Sequence, residues 1–275
     1  MDNKLDEKSK IDHINTQDFI LYEEKGRIAS ITINRPDKAN SFNLSMLKVI
    51  YEKLIEANKN DKVRCIIIKS TGEKFFCAGY DLDEVTSNRE IANQIITYGR
   101  KVNETIFRLK KPIITQVQGI SIGFGVLMIL ASDLRVFADR PKDRLYLRLP
   151  EIAISIFPQT GATLLPLLAF GLNYAKNLLF TTDKIGVEEL KNINFPTRIF
   201  PFETLNSDTF SFVKEISKYQ EEFSYTLKSM LNIMNKSYIN SCLNLEDEFA
   251  KIVYEKKMSV NELDDYINNY YDNFP

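Results

Sequence analysis

Two short glycine-bearing loops stand out for the chemistry their backbones could do. One reads Phe76-Cys77-Ala78-Gly79-Tyr80-Asp81-Leu82, the other Gln118-Gly119-Ile120-Ser121-Ile122-Gly123-Phe124-Gly125. Each follows an apolar, β-branched run of the kind that forms a buried strand, Cys65-Ile66-Ile67-Ile68 before the first and Ile113-Ile114-Thr115-Gln116-Val117 before the second. Two strand ends that bring peptide N–H groups to one place make an oxyanion hole. Donors held by the fold need no reorganisation when negative charge develops, and one such donor is worth about 2.7–4 kcal/mol. A lone glycine after a strand is most often a plain turn, so the pair says more than either member.

The elements around these loops follow from hydrophobic period. Residues 27–34 alternate as a strand, and Pro36 stops it. Leu44, Leu47, Tyr51, Leu54 and Ile55 recur at helical spacing, with Ser41 or Asn43 placed to cap the start. Residues 63–69 return as a strand, giving a strand–helix–strand unit whose crossover is right-handed and whose strands pair in parallel. A helix is predicted over 88–109, the second apolar strand follows, and 123–132 reads as a buried helix that starts at the second loop, with another strand at 134–138. Such units build a mostly parallel sheet with helices outside, and ligands bind at the carboxyl ends of its strands. Past Pro201, glycine and proline vanish until Pro275. Helical period there predicts helices around Phe210–Tyr219 and near 222–235, 245–256 and 261–271.

Bulk properties exclude several classes. With 275 residues and 44% apolar content the chain can bury a sizeable core, and a net charge of −1 gives no reason to expect nucleic acid or an anionic membrane as partner. The longest apolar run, residues 122–131, is far short of the roughly 20 needed to span a bilayer. Cys65, Cys77 and Cys242 lack metal-ligand spacing and read as reduced thiols, which points to a reducing, cytoplasmic compartment. The N-terminal segment alternates lysine with acidic residues and reads as a solvated tail rather than a signal peptide. His13, the single histidine, lies in that tail with no cluster to complete a metal site, and its isolation also argues against a serine or cysteine triad.

Three further segments complete a series: Ile31-Thr32-Ile33-Asn34-Arg35-Pro36-Asp37-Lys38-Ala39-Asn40-Ser41-Phe42 upstream of the loops, then Leu149-Pro150-Glu151-Ile152, then Leu179-Phe180-Thr181-Thr182-Asp183-Lys184-Ile185. With the two loops they make five landmarks in one order, and over nearly all of residues 18–201 the chain resembles the crotonase superfamily, the enoyl-CoA hydratase/isomerase family. The resemblance implies an α/β fold, a crotonase-like spiral of ββα units with a mostly parallel sheet, plus a C-terminal helical region. It implies a polar tail at 1–17, the spiral core at 18–201, and a helical region at 202–275 that contributes to trimer contacts and closes over the CoA site. It also implies a homotrimer or hexamer acting on an acyl-CoA thioester, with CoA as part of the substrate and no separate cofactor or metal.

Carried over residue by residue, the resemblance makes the backbone N–H groups of Tyr80 and Phe124 the oxyanion donors. Many family members have glycine where Phe124 stands, and its benzyl group must enter either the acyl pocket or the core. Hydratases of the family use two glutamates. Leu127 occupies the first position, and Glu151 retains the second. Loss of one acid/base group typically costs 10²- to 10⁴-fold in rate, which disfavours hydration. One carboxylate suffices for Δ3,Δ2-enoyl-CoA isomerisation, and monofunctional isomerases of the family use a glutamate at the position of Glu151. Others use one nearer Gln159, which is an amide here. In an apolar pocket the Glu151 carboxyl is expected to be pushed toward neutrality. The CoA side of the site is expected from Arg35, Lys38, Ala39, Cys77, Ala78, Gly79, Asp81, Leu82, Gly123, Leu127 and Gln159, with Lys38 or Arg35 meeting phosphate. Asp81 has the alternative of satisfying local backbone N–H groups. Hydration, decarboxylation or thioester hydrolysis, and a non-catalytic CoA-binding or assembly subunit, are the competing readings. The segment Phe157-Pro158-Gln159-Thr160-Gly161-Ala162-Thr163 also resembles polyketide-branching decarboxylases of the family.

Overall fold

A computed structural model describes residues 19–233, 236–256 and 258–272. The expectations for residues 1–17 and for His13 lie outside the described residues. The chain opens with a hairpin of β1 (Ile20–Lys25) and β2 (Ile28–Ile33), then α1 (Leu44–Lys59), whose first turn is capped by Asn43 through Met46 N and by Glu84 through Leu44 N. Asn43 is thus the cap, while Ser41 Oγ donates to the Lys38 carbonyl. There follow β3 (Cys65–Ser70), β4 (Phe75–Cys77), α2 (Leu82–Ser87), α3 (Arg89–Arg108), β5 (Ile113–Val117), β6 (Ile120–Ile122), α4 (Phe124–Ala131), β7 (Leu134–Asp139) and β8 (Tyr146–Arg148). Next come α5 (Leu164–Phe170), α6 (Leu172–Thr181), β9 (Ile185–Gly186), α7 (Val187–Asn192) and β10 (Arg198–Pro201).

The strands form two sheets. The larger runs β1-β2-β3-β5-β7-β10, with every pair after the first hairpin parallel. The smaller runs β4-β6-β8-β9, parallel except for the last pair. After β3, β5 and β7 the chain steps from the larger sheet into one short strand of the smaller, and after β4 and β6 it enters a helix. This is the ββα spiral expected, with one correction to the sequence reading. The glycine loops do not leave the ends of β3 and β5; they leave β4 and β6, three-residue strands too short to show a period of their own.

All eight residues of α4 are buried, as a helix without a polar face requires. It runs through the centre of a core built by β2, β3, β5 and β7 from Ile31, Ile33, Ile66, Ile68, Ile114 and Phe137. The C-terminal region is helical: α8 (Leu205–Ile216), α9 (Glu221–Ile233), α10 (Lys236–Lys251), a π-helical turn (Ile252–Lys256) and α11 (Val260–Asp272). Helix α10 begins nine residues ahead of the predicted 245. Two of these helices dock on α3. From α9, the buried Lys228 Nζ donates to the Ile106 and Lys111 carbonyls and to Asp133 Oδ2 at 2.7 Å. From α10, Asp247 pairs with Arg100. No helix among the described residues is long and apolar enough to cross a membrane.

Candidate active site

The first loop is held by a single parallel bridge between Phe42 and Tyr80. Phe42 N–H donates to the Gly79 carbonyl and Asp81 N–H donates to the Phe42 carbonyl, both at 2.8 Å. In that pattern the N–H of Tyr80 itself points to the side away from Phe42. The second loop lies against the preceding residue, Gly79. A Cβ built on Gly79, whose φ is +91°, would lie 3.1 Å from the Ile122 carbonyl oxygen and 3.5 Å from Phe124 N. Glycine is needed there both for the left-handed backbone and for the approach. Phe124 is the first residue of α4, so its N–H has no acceptor within the helix and sits at the positive end of the helix dipole. The backbone just ahead of Tyr80 therefore lies beside Phe124 N at the start of a buried helix, although the two residues stand 44 apart in number.

Glu151 opens a 3-10 turn (Glu151–Ile154) just past β8. Its Oε1 lies against the same turn, within 3.3 Å of where a Cβ on Gly123 would sit, and its Oε2 is shielded from solvent with no hydrogen-bond partner among the described residues. Burial disfavours the charged form, and with only its own backbone N–H to oppose that effect the carboxyl is pushed up to about 7. Leu127, one turn along α4 from Phe124, is buried and offers no acid or base. The arrangement comprises two fixed donors and one carboxyl able both to take and to return a proton near neutral pH.

The Phe124 ring is buried among aromatic neighbours. It packs edge-on against Phe42 at 5.5 Å between centroids and is stacked on the Tyr80 ring at 4.7 Å. The Tyr80 hydroxyl reaches Thr160 Oγ1 at 3.3 Å and presses on α3 at Gly99, where even a methyl group would collide with it. Thr160 is held in turn, since Asn103 Nδ2 donates to its carbonyl at 3.0 Å. Glu246, buried on α10, accepts from Gly161 N, Thr163 N and Thr163 Oγ1. Gln159 donates to Asp247 of the same helix. Asn103, Thr160 and Glu246 escaped the sequence reading. A signal existed for two of them: each is a polar residue on an otherwise apolar helix face, Asn103 among Ile95, Gly99, Val102 and Ile106, and Glu246 among Ile239, Leu243 and Ala250.

The turn expected to meet CoA is internally bonded. Arg35 Nη1 donates to Asp81 Oδ2 at 2.7 Å and to the Ser41 carbonyl, and its side chain is only 13% exposed. Of the two expected phosphate contacts, Arg35 is thus largely buried and ion-paired through Nη1 within the fold. Asp81 also accepts from Asp83 N as the cap of α2, the local role open to it from sequence. Lys38 is half-exposed, with Asp83 at 3.4 Å as a loose partner, and stays available to solvent. Ala39, left-handed at φ 54°, accepts Ala78 N–H and so ties this turn to the first loop. Leu82 is exposed beside it. Burial pushes the Cys77 thiol up to about 12, so Cys77 contributes backbone rather than sulfur chemistry. A cavity of about 600 Å³ lies elsewhere, bounded by Lys142, Arg148, Thr182, Lys184 and Glu189, and includes none of the groups above.

Comparison with known proteins bears on what this geometry is for. The family model described as enoyl-CoA hydratase/isomerase matches residues 23–269. YngF of Bacillus subtilis, whose name carries the same family description, is 34% identical over 181 residues, covering 64% of this chain and 67% of the relative. The short-chain-enoyl-CoA hydratase of Clostridium acetobutylicum is 29% identical over 190 residues, 68% of this chain and 71% of the relative. Among solved structures, an enoyl-CoA hydratase from Bacillus anthracis superimposes with a TM-score of 0.74 at 24% identity, over 91% of this chain and 96% of that one, a likeness of fold.

Proposed function

The chain belongs to the enoyl-CoA hydratase/isomerase family, and from that membership we propose that it catalyses Δ3,Δ2-enoyl-CoA isomerisation with Glu151 as its single proton shuttle. The thioester carbonyl oxygen rests between the N–H groups of Tyr80 and Phe124. Glu151 removes a proton from C2, the electron pair delocalises onto that oxygen as a dienolate, and the protonated carboxyl returns the proton at C4 while the double bond moves to C2–C3. Each donor is worth about 2.7–4 kcal/mol to such an intermediate. The observation that carries the reading is one carboxyl with a solvent-shielded, unpartnered Oε2, pushed up to about 7 by desolvation, against the turn of Gly123 and Phe124. A carboxyl in that range is half-protonated near neutrality, which suits a group that must act as base and then as acid.

Leu127 stands where hydratases of the family hold a second glutamate, and a leucine can neither orient water nor move its proton. The relatives' names nevertheless keep hydration as the second reading, with Glu151 serving alone on a bound water. The remaining family chemistries and a silent CoA-binding subunit are separated by the same experiment. Purified full-length protein is offered 3-enoyl-, 2-enoyl-, malonyl- and saturated acyl-CoA. Conversion of 3-enoyl- to 2-enoyl-CoA, lost in Glu151→Gln, supports isomerisation. Hydration of 2-enoyl-CoA as the faster reaction replaces it, and binding without turnover of any member removes catalysis from the proposal. With the family we also assign Lys38 to the CoA phosphates, a trimer or hexamer as the working assembly, the cytoplasm as its compartment, and no cofactor beyond the substrate's own CoA.

A further inference from the structure

We propose that the stacked rings of Tyr80 and Phe124 close the inner end of the acyl site and limit the substrate to short acyl groups, an inference that rests on the acyl-CoA reading above. The two peptide donors fix where the thioester carbonyl lies. CoA is too large to be enclosed, so sulfur leaves toward solvent and the acyl carbons point inward. The rings nearest the donors are those of the donor residues themselves. Their rings stack at 4.7 Å, and Phe124 is backed by the fully buried Phe42. Neither ring has free room to retreat: Tyr80 is pinned at its hydroxyl by Thr160 and stopped at Gly99 by the α3 backbone.

Beyond the Tyr80 hydroxyl lies a small cavity of about 10 Å³, the space of one water. Thr160 and Glu104 line it together with Phe107, Leu164, Leu165, Ile239 and Leu243, and the buried Asn103 Oδ1 at its wall has no partner among the described residues. Apart from Asn103, Glu104 and Thr160 its lining is apolar, and the Tyr80 hydroxyl meets it at Thr160. Removing the ring would join the two spaces. A methylene gained or lost in an apolar pocket changes binding by roughly 10- to 200-fold, so several carbons of chain should register clearly.

The test uses saturated acyl-CoAs, which are not isomerised or hydrated, so affinity is read independently of the reaction. Dissociation constants of butyryl-, octanoyl- and dodecanoyl-CoA are measured by calorimetry on the full chain, its Tyr80→Phe and Tyr80→Ala variants, and Tyr80→Leu in case the alanine variant does not fold. The wild type and Tyr80→Phe should bind butyryl-CoA at least about tenfold more tightly than dodecanoyl-CoA. The smaller side chains should remove or invert that preference. Binding of all three chains with equal affinity by the wild type, or an unchanged preference in a folded alanine or leucine variant, overturns the length limit alone. Absence of binding across the whole series overturns the acyl-CoA reading and the limit with it.

Discussion

Replacing Glu151 by glutamine separates its chemical role from its place in the fold, because the amide keeps the shape and removes the proton shuttle. Activity should fall by about 10²- to 10⁴-fold, the usual worth of a general acid/base. Stability should move the opposite way. The carboxyl sits at about 7 instead of its ordinary 4.5, so between those values the folded chain holds a proton that the unfolded chain has released, and stability declines as pH rises through that window. At about 1.36 kcal/mol per unit the full penalty would be about 3 kcal/mol. Solvent reaches part of this half-buried side chain, which scales the expected effect to about 1–3 kcal/mol. Glutamine never ionises and escapes the penalty. Urea unfolding of both proteins should therefore coincide near about pH 4 and diverge by about pH 8, with Glu151→Gln the more stable. In the wild type, kcat/KM should rise with pH through about 7, as the base form accumulates, and the limb should vanish in the variant. An acid limb near the ordinary carboxylate value, residual turnover within about tenfold of wild type, or a variant that is less stable at the higher pH would each refute the reasoning.

Three other outcomes follow from the geometry. Gly79→Ala should push the first loop off the Ile122 carbonyl and pull the Tyr80 amide out of line, lowering kcat by about 10²-fold while butyryl-CoA affinity changes much less; steady-state kinetics beside calorimetry will decide. Lys228→Met leaves the partly buried Asp133 carboxylate without its ion-pair partner and should cost about 1–3 kcal/mol in urea unfolding, and a loss below about 0.5 kcal/mol would mean that water and Arg135 replace the lysine. Cys77, buried and pushed up to about 12, should resist iodoacetamide in the folded protein and react on unfolding, with the half-buried Cys242 labelled first; prompt labelling of Cys77 at neutral pH would contradict the closed loop.

How much was legible along the chain depended on the range of the interaction. Asn43 before a helical period, the β-branched runs of β3 and β5, and the turn-forming glycines ahead of Tyr80 and Phe124 are short-range signals, written within a few residues of the structure they produce. The pairing of the two loops and the choice of Glu151 came from likeness to a family rather than from any local signal. The short strands β4, β6, β8 and β9 were not legible, because two or three residues carry no period. Arg35 looked like a solvent-facing cation because Asp81, its partner, stands 46 residues away.

The same distinction runs through the site. Residue order settled that two N–H-bearing loops, one acid and no second glutamate are present, since these are matters of identity and local conformation. Folding settled that the Tyr80 amide faces away from its bridge, that the Phe124 ring lies against Phe42 and Tyr80, that Glu246 reaches back to the turn beside Thr160, and that the Glu151 carboxyl titrates near neutrality. Orientation and desolvation are sums over neighbours brought together from distant parts of the chain, and no local stretch of residues contains them.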